Sequence, residues 1–322
     1  MKKIAIVGGE THLAEVTGLC GSSLEIVATC MNDNCRAQVI PDIDAPNYAD
    51  LDTMLADTSP EIVAIANEND LKFAAVTKSL RAGCDVIVDK PLCITMEEQR
   101  EIEGFLSAHP ERRLLNLLTL RGDSGWVELR DRVSRGEIGV PAFVHVRMAV
   151  QLRADTRPAW FLDVSRSGGL FLDLLIHGLD QVEYLTGSHV TALTANMGNL
   201  GKPAQTSLRD HAAVYCELDN GGGAVVEGQR MLPATKGSDY RVTVAGTKGY
   251  ADLVMSPRSL LVTNEDGADM AVQDFPDRMS VVADWLAGGD LVSQQASLRA
   301  NLLAVLATES ALTRTRVEVP LD

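Results

Sequence analysis

A chain of 322 residues with a formal charge of −15 is long enough for two domains, and 46% hydrophobic content supplies a core for each. The acidic balance argues against nucleic acid, whose phosphates call for a basic footprint, and no apolar run approaches the ~20 residues of a membrane span. The six cysteines, Cys20, Cys30, Cys35, Cys84, Cys93 and Cys216, show no CxxC pair and no disulfide-like spacing, which implies a reducing, cytoplasmic setting. The opening MKKIAIVGG has the charged start of a signal peptide, but its apolar core is too short and Glu10 and His12 break it.

Lys3–Val7 (KIAIV) predicts a buried parallel strand ending at Gly8-Gly9. Thr11–Leu19 predicts a short helix, Leu24–Cys30 a strand, Ala49–Ala56 a helix and Glu61–Ala66 a strand. Leu71–Ala82 predicts a helix closed by Gly83, and Asp85–Val88 another strand. Thr95 and Glu98 form a capping box that opens a helix to Ala108, stopped by His109-Pro110, and Arg113–Leu120 adds a strand. This alternation is the signature of a doubly wound parallel sheet. Such sheets bind nucleotides at the first strand–helix turn, where backbone N–H groups meet a pyrophosphate. Here the fingerprint positions are Gly8, Glu10 and Leu13, so only the first is glycine. Cys30-Met31-Asn32 stands where an acid would hold ribose hydroxyls. On the residues alone, a GG after a strand also reads as a tight turn. Asp85–Pro91 delivers Asp89 and Lys90 to the carboxyl edge of the sheet, with Pro91 holding Lys90 extended. A solvated lysine beside a helix-entry proline is the other local reading.

Asp123–Arg135 predicts a helix ending at Gly136, and Val140–Val150 a sheet strand. An irregular arm carrying Arg153, Arg157 and Trp160 follows. Gly168–Asp180 (GGLFLDLLIHGLD) opens a helix that runs to Leu185 before Gly187. Its apolar positions fall all the way round, so it should be buried. Asp173 and His177 sit inside it, four residues apart and so on one face. A buried carboxylate and imidazole are costly unless paired or put to use; from this helix alone, bonds to a neighbouring loop explain them as well as chemistry does. Val190–Asn196, Ala212–Leu218, Ala224–Met231, Tyr240–Ala245 and Tyr250–Met255 predict hairpin strands of a largely antiparallel sheet with helices on one face. Met279–Ala287 and Gln294–Thr313 predict closing helices, and Val317–Pro320 a last strand. The alternating pattern ends near Leu120, which divides a dinucleotide-binding domain, 1–120, from an α+β substrate-binding and oligomerisation domain, 121–322. The open sheet face is apolar enough to need cover, predicting a homo-oligomer, dimer or tetramer.

Together these motifs resemble the Gfo/Idh/MocA oxidoreductases, the family named for glucose–fructose oxidoreductase and inositol dehydrogenase, over nearly the whole length. Asp89-Lys90-Pro91 is similar to the family's EKP motif. Gly168-Gly169, Asp173, His177 and Asp180 are similar to its GG…DxxxHxxD motif. Arg135–Pro141 and Val244–Gly249 match further landmarks, and Asn69 falls at the Asn of its TPN turn. Glu68 stands in place of that turn's proline, Lys72 where a His commonly follows, and Met31 where an acid usually binds ribose. His12 matches the degenerate first loop of some branches.

The resemblance implies a Rossmann-type domain, NAD or NADP as cofactor, and hydride transfer between nicotinamide and a hydroxyl-bearing carbon of a sugar, cyclitol or related polyol. It implies cofactor contacts at Gly8, Gly9, Glu10, Thr11, His12, Met31, Asn32, Asn67, Asn69, Asp89 and Lys90. His177 would remove the hydroxyl proton, Lys90 would stabilise developing alkoxide charge, and Asp173 would orient substrate hydroxyls or the imidazole. These three catalytic residues are expected to converge on one cleft between the domains. Trp160 would stack on a sugar face or fill a core, and Arg121 and Arg157 would bind an anionic group of the substrate. Glu10 and Met31 predict modest cofactor affinity with little discrimination between NAD and NADP, Asn32 or Arg36 partly substituting. A ligand-binding or regulatory protein that has lost turnover, and an NAD-dependent glycosidase sharing the site, remain as alternatives. No metal is expected at Asp173 and His177, since further ligands are not evident.

Overall fold

Two short apolar runs, Ile4–Val7 and Ile62–Ile65, are buried on both faces at the centre of a parallel sheet in the computed structural model, which describes residues 1–40, 44–201 and 206–321. The chain forms two compact units. The first comprises Met1–Leu118, Arg166–Gly168 and Ser280–Asn301. Its elements begin with β1 (Lys2–Val7), α1 (Ala14–Thr17), β2 (Leu24–Cys30), α2 (Asp33–Val39) and α3 (Leu51–Thr58). They continue with β3 (Ile62–Ile65), α4 (Asn69–Arg81), β4 (Asp85–Val88), α5 (Met96–Ala108) and β5 (Leu114–Asn116). Among the described residues this sheet has five strands, all parallel, in the order β2-β1-β3-β4-β5. The order reverses between β1 and β3, so the crevice beyond their carboxyl ends is the topological switch point where open α/β sheets bind ligands.

The predicted capping box is present: Glu98 N–H donates to the Thr95 hydroxyl, and Thr95 N–H to the Glu98 carboxylate. Two expectations need correction, and one helix was not foreseen. The helix predicted over Thr11–Leu19 is a single turn, because the N–H groups of Thr11 and His12 bond outward, to the Ala66 carbonyl and the Asp89 carboxylate. The strand predicted over Arg113–Leu120 stops at Asn116, where Leu118 N–H bonds back to the Asn116 carbonyl and turns the chain. Helix α2 lacks an apolar period and went unpredicted; Asn32 caps it by accepting from Cys35 N–H.

The second unit holds Thr119–Ser165, Gly169–Met279 and the chain from Leu302 onward. Along the chain come α6 (Ser124–Ser134), β6 (Pro141–Ala149), the one-turn helices α7 (Ala159–Leu162) and α8 (Val164–Ser167), a π turn over Phe171–Leu175, and α9 (Ile176–Thr186). Then follow β7 (Val190–Gly198), β8 (His211–Leu218), β9 (Gly223–Gln229), β10 (Asp239–Gly246), β11 (Gly249–Met255), β12 (Arg258–Thr263) and β13 (Asp269–Ala271). The chain closes with α10 (Val281–Leu286), α11 (Gln294–Thr313) and β14 (Val317–Glu318). The described residues form a nine-stranded sheet, ordered β13-β12-β11-β10-β6-β9-β8-β7-β14 and antiparallel except where β6 lies parallel to β9. The β12–β13 hairpin was not predicted; its residues are mostly exposed and carry little apolar alternation.

Alternation defines the faces of this sheet. Val144, Val146 and Met148 of β6 and Val242 and Val244 of β10 are buried, while Phe143, Arg241 and Tyr215 are exposed. Helix α9 packs on the buried face, and a Cβ at Gly178 would stand 2.6 Å from Val226. Only glycine lets the helix approach the strands this closely.

Candidate functional site

In the first unit the predicted cofactor residues gather at the carboxyl edge of the parallel sheet. Gly8 has φ +73°, and a side chain there would run into the backbone of Asn67, so the turns after β1 and β3 meet only because this residue is glycine. Glu10 folds back on its own turn: Gly9 N–H donates to Oε2 at 2.8 Å, and Asn32 Nδ2 donates to Oε1 at 2.9 Å. The Met31 backbone is held by Asn47, which accepts from Met31 N–H and donates to its carbonyl at 3.0 Å. Arg36 donates to the Ala45 carbonyl. Among the described residues, Thr11 Oγ1 and Asn67 Oδ1 are buried with no hydrogen-bond partner. Two orphaned polar atoms at a switch point fit a hydroxyl- and phosphate-rich ligand such as a dinucleotide.

Asp89 is buried at the end of β4 and accepts from His12 N–H at 3.0 Å, with the His12 ring 3.3 Å away. Burial works to raise this carboxyl, but the His12 bond, the Lys72 ammonium whenever that lysine is protonated, and the Lys90 charge overcome it and hold it well below the usual carboxylate range. Lys90, also buried, precedes a cis peptide bond to Pro91, and its carbonyl accepts from Lys72 Nζ at 3.1 Å. Lys72 Nζ donates as well to Asn69 Oδ1 at 3.0 Å, and Asn69 Nδ2 to the Ser167 carbonyl at 2.8 Å. Burial pulls Lys72 down to about 7. This lysine is the member of the cluster that sequence reasoning missed as a site residue; its signal was a charge on the buried stripe of α4.

In the second unit, the helix expected from Gly168 starts at Leu170 instead, and its first turn is a π turn. Gly168 and Gly169 have φ of 77° and 89°, outside the helical region, and the wider turn over Phe171–Leu175 precedes the regular α9. Turns of this kind occur frequently at functional sites. Asp173 forms a buried ion pair with Arg230, and the Arg230 guanidinium also lies over the Phe161 ring, 5.0 Å from its centroid. Arg157 lies over the same ring at 4.2 Å, and Trp160 meets it edge-on at 5.8 Å. Trp160 is buried with Leu152, Phe161 and Leu208 in a small apolar cluster, its indole N–H without a partner among the described residues. Arg230 directly follows β9, remote in sequence from Asp173, and nothing local in the sequence links the two.

Arg121 lies elsewhere in this unit. It grips Asp180 through Nε at 3.0 Å and Nη2 at 2.8 Å and stacks over Tyr184. Burial raises the Asp180 carboxyl while the guanidinium works against it. Both acids of the DxxxHxxD pattern are therefore held by arginines, with the half-buried His177 between them in sequence. Sequence reasoning assigned Arg121 to a substrate anion; the structure gives it a carboxylate of the protein. A concavity of about 610 Å³ on the open sheet face, lined by Arg147, His211 and Glu227 among others, contains none of these residues. No group of three or more His, Cys, Asp or Glu among the described residues could hold a metal.

Comparison with known proteins shows the family. Residues 2–111 match the family described as an oxidoreductase family with an NAD-binding Rossmann fold, and residues 126–252 match the GFO/IDH/MocA C-terminal domain. The chain belongs to the Gfo/Idh/MocA oxidoreductases. Inositol 2-dehydrogenase of Salmonella typhimurium is 29% identical over 258 residues, 78% of this chain and 73% of that protein. D-glucoside 3-dehydrogenase of Escherichia coli is 27% identical over 254 residues, 72% of this chain and 70% of that protein. The structure of levoglucosan dehydrogenase in complex with NADH superposes with a TM-score of 0.81 over 99% of both chains at 18% identity, a likeness of fold. In this Gfo/Idh/MocA chain the expected NAD-binding unit is thus the one built on the five-stranded sheet.

Proposed function

We propose that this oxidoreductase is an NAD- or NADP-dependent dehydrogenase that moves hydride between nicotinamide and a hydroxyl-bearing carbon of a sugar, cyclitol or related polyol. What supports the reading is that both family motifs stand in ordered elements: Lys90, buried at the carboxyl edge of the nucleotide-type sheet, and Asp173 with His177, half-buried at the head of α9. The inositol and glucoside relatives supply the substrate class. Residues 1–120 would bind the dinucleotide and 121–322 the substrate.

Gly8–His12 would hold the pyrophosphate, with Thr11 and Asn67 offering their orphaned atoms and Met31 and Asn32 bordering the ribose. Asn69, Asp89 and Lys90 would border the nicotinamide, which supplies the hydride acceptor when bound. Lys90, Asp173 and His177 serve one reaction. His177 takes the proton of the reacting hydroxyl, and its second nitrogen allows the proton to be passed on. Lys90 donates to the same oxygen and stabilises its developing negative charge. Asp173, fixed by Arg230, orients the substrate hydroxyls, Arg157 faces any anionic group, and Trp160 forms the floor under them.

A panel of sugars and cyclitols followed at 340 nm with NAD and NADP in parallel tests the reading. Absorbance change with at least one is the expected result. No change, together with no heat on titrating NADH or NADPH, would favour a binding protein instead. No helix among the described residues is long and apolar enough to cross a membrane, and the six cysteines are unbridged, which supports a cytoplasmic setting. The exposed Phe143, Tyr215 and Tyr250 support a homo-oligomer formed through the open sheet face. Light scattering at micromolar concentration should give a dimer or tetramer, and a monomer would refute that part.

A further inference from the structure

Lys72 is fully buried, and both hydrogen bonds of its nitrogen go to residues of the proposed cofactor site: Asn69 Oδ1 at 3.0 Å and the Lys90 carbonyl at 3.1 Å. Asn69 is itself fixed by the Ser167 carbonyl. One nitrogen therefore ties the start of α4 to the residue that leaves β4. The charged groups facing it are Asp89 and Lys90 from the end of β4 and Glu10 from the turn after β1. Asp89 is occupied by His12, and Glu10 by Gly9 and Asn32.

A neutral amine carries two N–H groups, matched here by two acceptors. An ammonium adds a third N–H, which finds no acceptor among the described residues, and a charge in a dry site beside Lys90. Burial is the dominant influence on this group, drawing it down to about 7; Asp89 and Glu10 oppose the shift and Lys90 reinforces it.

We propose that Lys72 is a positioning residue for hydride transfer: as a neutral two-proton donor it clamps the Lys90 backbone to Asn69, and taking up a proton loosens that clamp. The inference rests on the dehydrogenase reading, through the roles given to Lys90 and Asn69. It differs from a purely structural brace in two ways. The clamp acts on groups that touch the reactants, so its loss lowers kcat more than it raises KM. Its state also changes near neutral pH, where an ordinary lysine stays charged.

The first test needs neither cofactor nor substrate. In wild-type protein labelled with ¹³C-lysine, the Cε resonance absent from Lys72→Met should titrate with a midpoint near 7 rather than near the ordinary 10.5. A midpoint near the ordinary value overturns the proposal, whatever the protein's activity. The second uses a substrate from the panel at pH 8. Lys72→Met should lose about tenfold or more in kcat with substrate KM changed less than about threefold. Lys72→Gln, whose amide offers two N–H groups and does not titrate, should recover part of that loss, while Lys72→Arg, permanently charged, should not. A Lys72→Met kcat within about twofold of wild type, or rescue by Arg rather than Gln, overturns the proposal. If no substrate turns over, the dehydrogenase reading fails separately, and the titration still shows whether Lys72 is the neutral clamp.

Discussion

Buried cations are treated in opposite ways in the two units. In the second, Arg121 and Arg230 are each closed by an aspartate, Asp180 and Asp173. In the first, Lys72 is held by a carbonyl and an amide oxygen, with no carboxylate on its nitrogen. A guanidinium facing a carboxylate keeps its charge at any physiological pH and acts as a fixed strut. A lysine among neutral acceptors keeps its proton on sufferance. The difference separates charges that build the scaffold from one whose state can change during work.

The largest expected effect breaks the scaffold side. Asp180→Ala leaves Arg121 buried and uncompensated and should lower stability by about 3–5 kcal/mol in urea denaturation. Asp180→Leu with Arg121→Met should recover most of that loss, since replacing a whole buried pair is often neutral. Next come the groups assigned to chemistry. Lys90→Met and His177→Ala should each reduce turnover by ~10²-fold, equivalent to about 2.7 kcal/mol, with far-UV circular dichroism unchanged. Wild-type turnover in either variant would remove that residue from the mechanism.

The pH dependence of stability sharpens the contrast. The folded pKa of Lys72, about 7, lies below its ordinary 10.5, so between these values the unfolded chain binds more protons than the folded one. Stability should therefore rise with pH across that window, by at most about 1.4 kcal/mol per unit. Lys72→Gln should lack this contribution. The buried Arg121–Asp180 pair should contribute no slope there, so Asp180→Leu with Arg121→Met should keep the wild-type profile. The smallest effect lies outside both constellations: Thr95→Ala removes the capping box of α5 and should cost about 1 kcal/mol without changing kcat.

Much of the architecture was readable before any coordinates. β2, β4 and α11 fall at the predicted residues because their apolar runs or caps match one period only. Helix α2 escaped because its evidence is a single capping asparagine, and the β12–β13 hairpin because its residues are mostly exposed and Leu260-Leu261-Val262 reads as one apolar run. Of the proposed site, Lys90, Asp173 and His177 were named from their motifs. The groups bonded to Lys90 and Asp173 were not, since Lys72 and Arg230 are joined to them only by folding, as Arg121 is to Asp180. The role of Glu10 was half visible: its charge was plain, but not that its carboxylate turns back to Gly9.

That fold-back makes Glu10 a built-in rival. The Gly9 N–H is already taken by an anion tethered one residue away, and tethering gives such a group a high effective concentration. Any phosphate seeking the same donor enters by exchange and gains only the difference between two similar bonds. Such a carboxylate would therefore lower the loop's apparent affinity for a phosphate by a constant factor. Freeing the far end of that carboxylate, now held by Asn32, would change this factor while the Gly9 N–H itself stays unaltered.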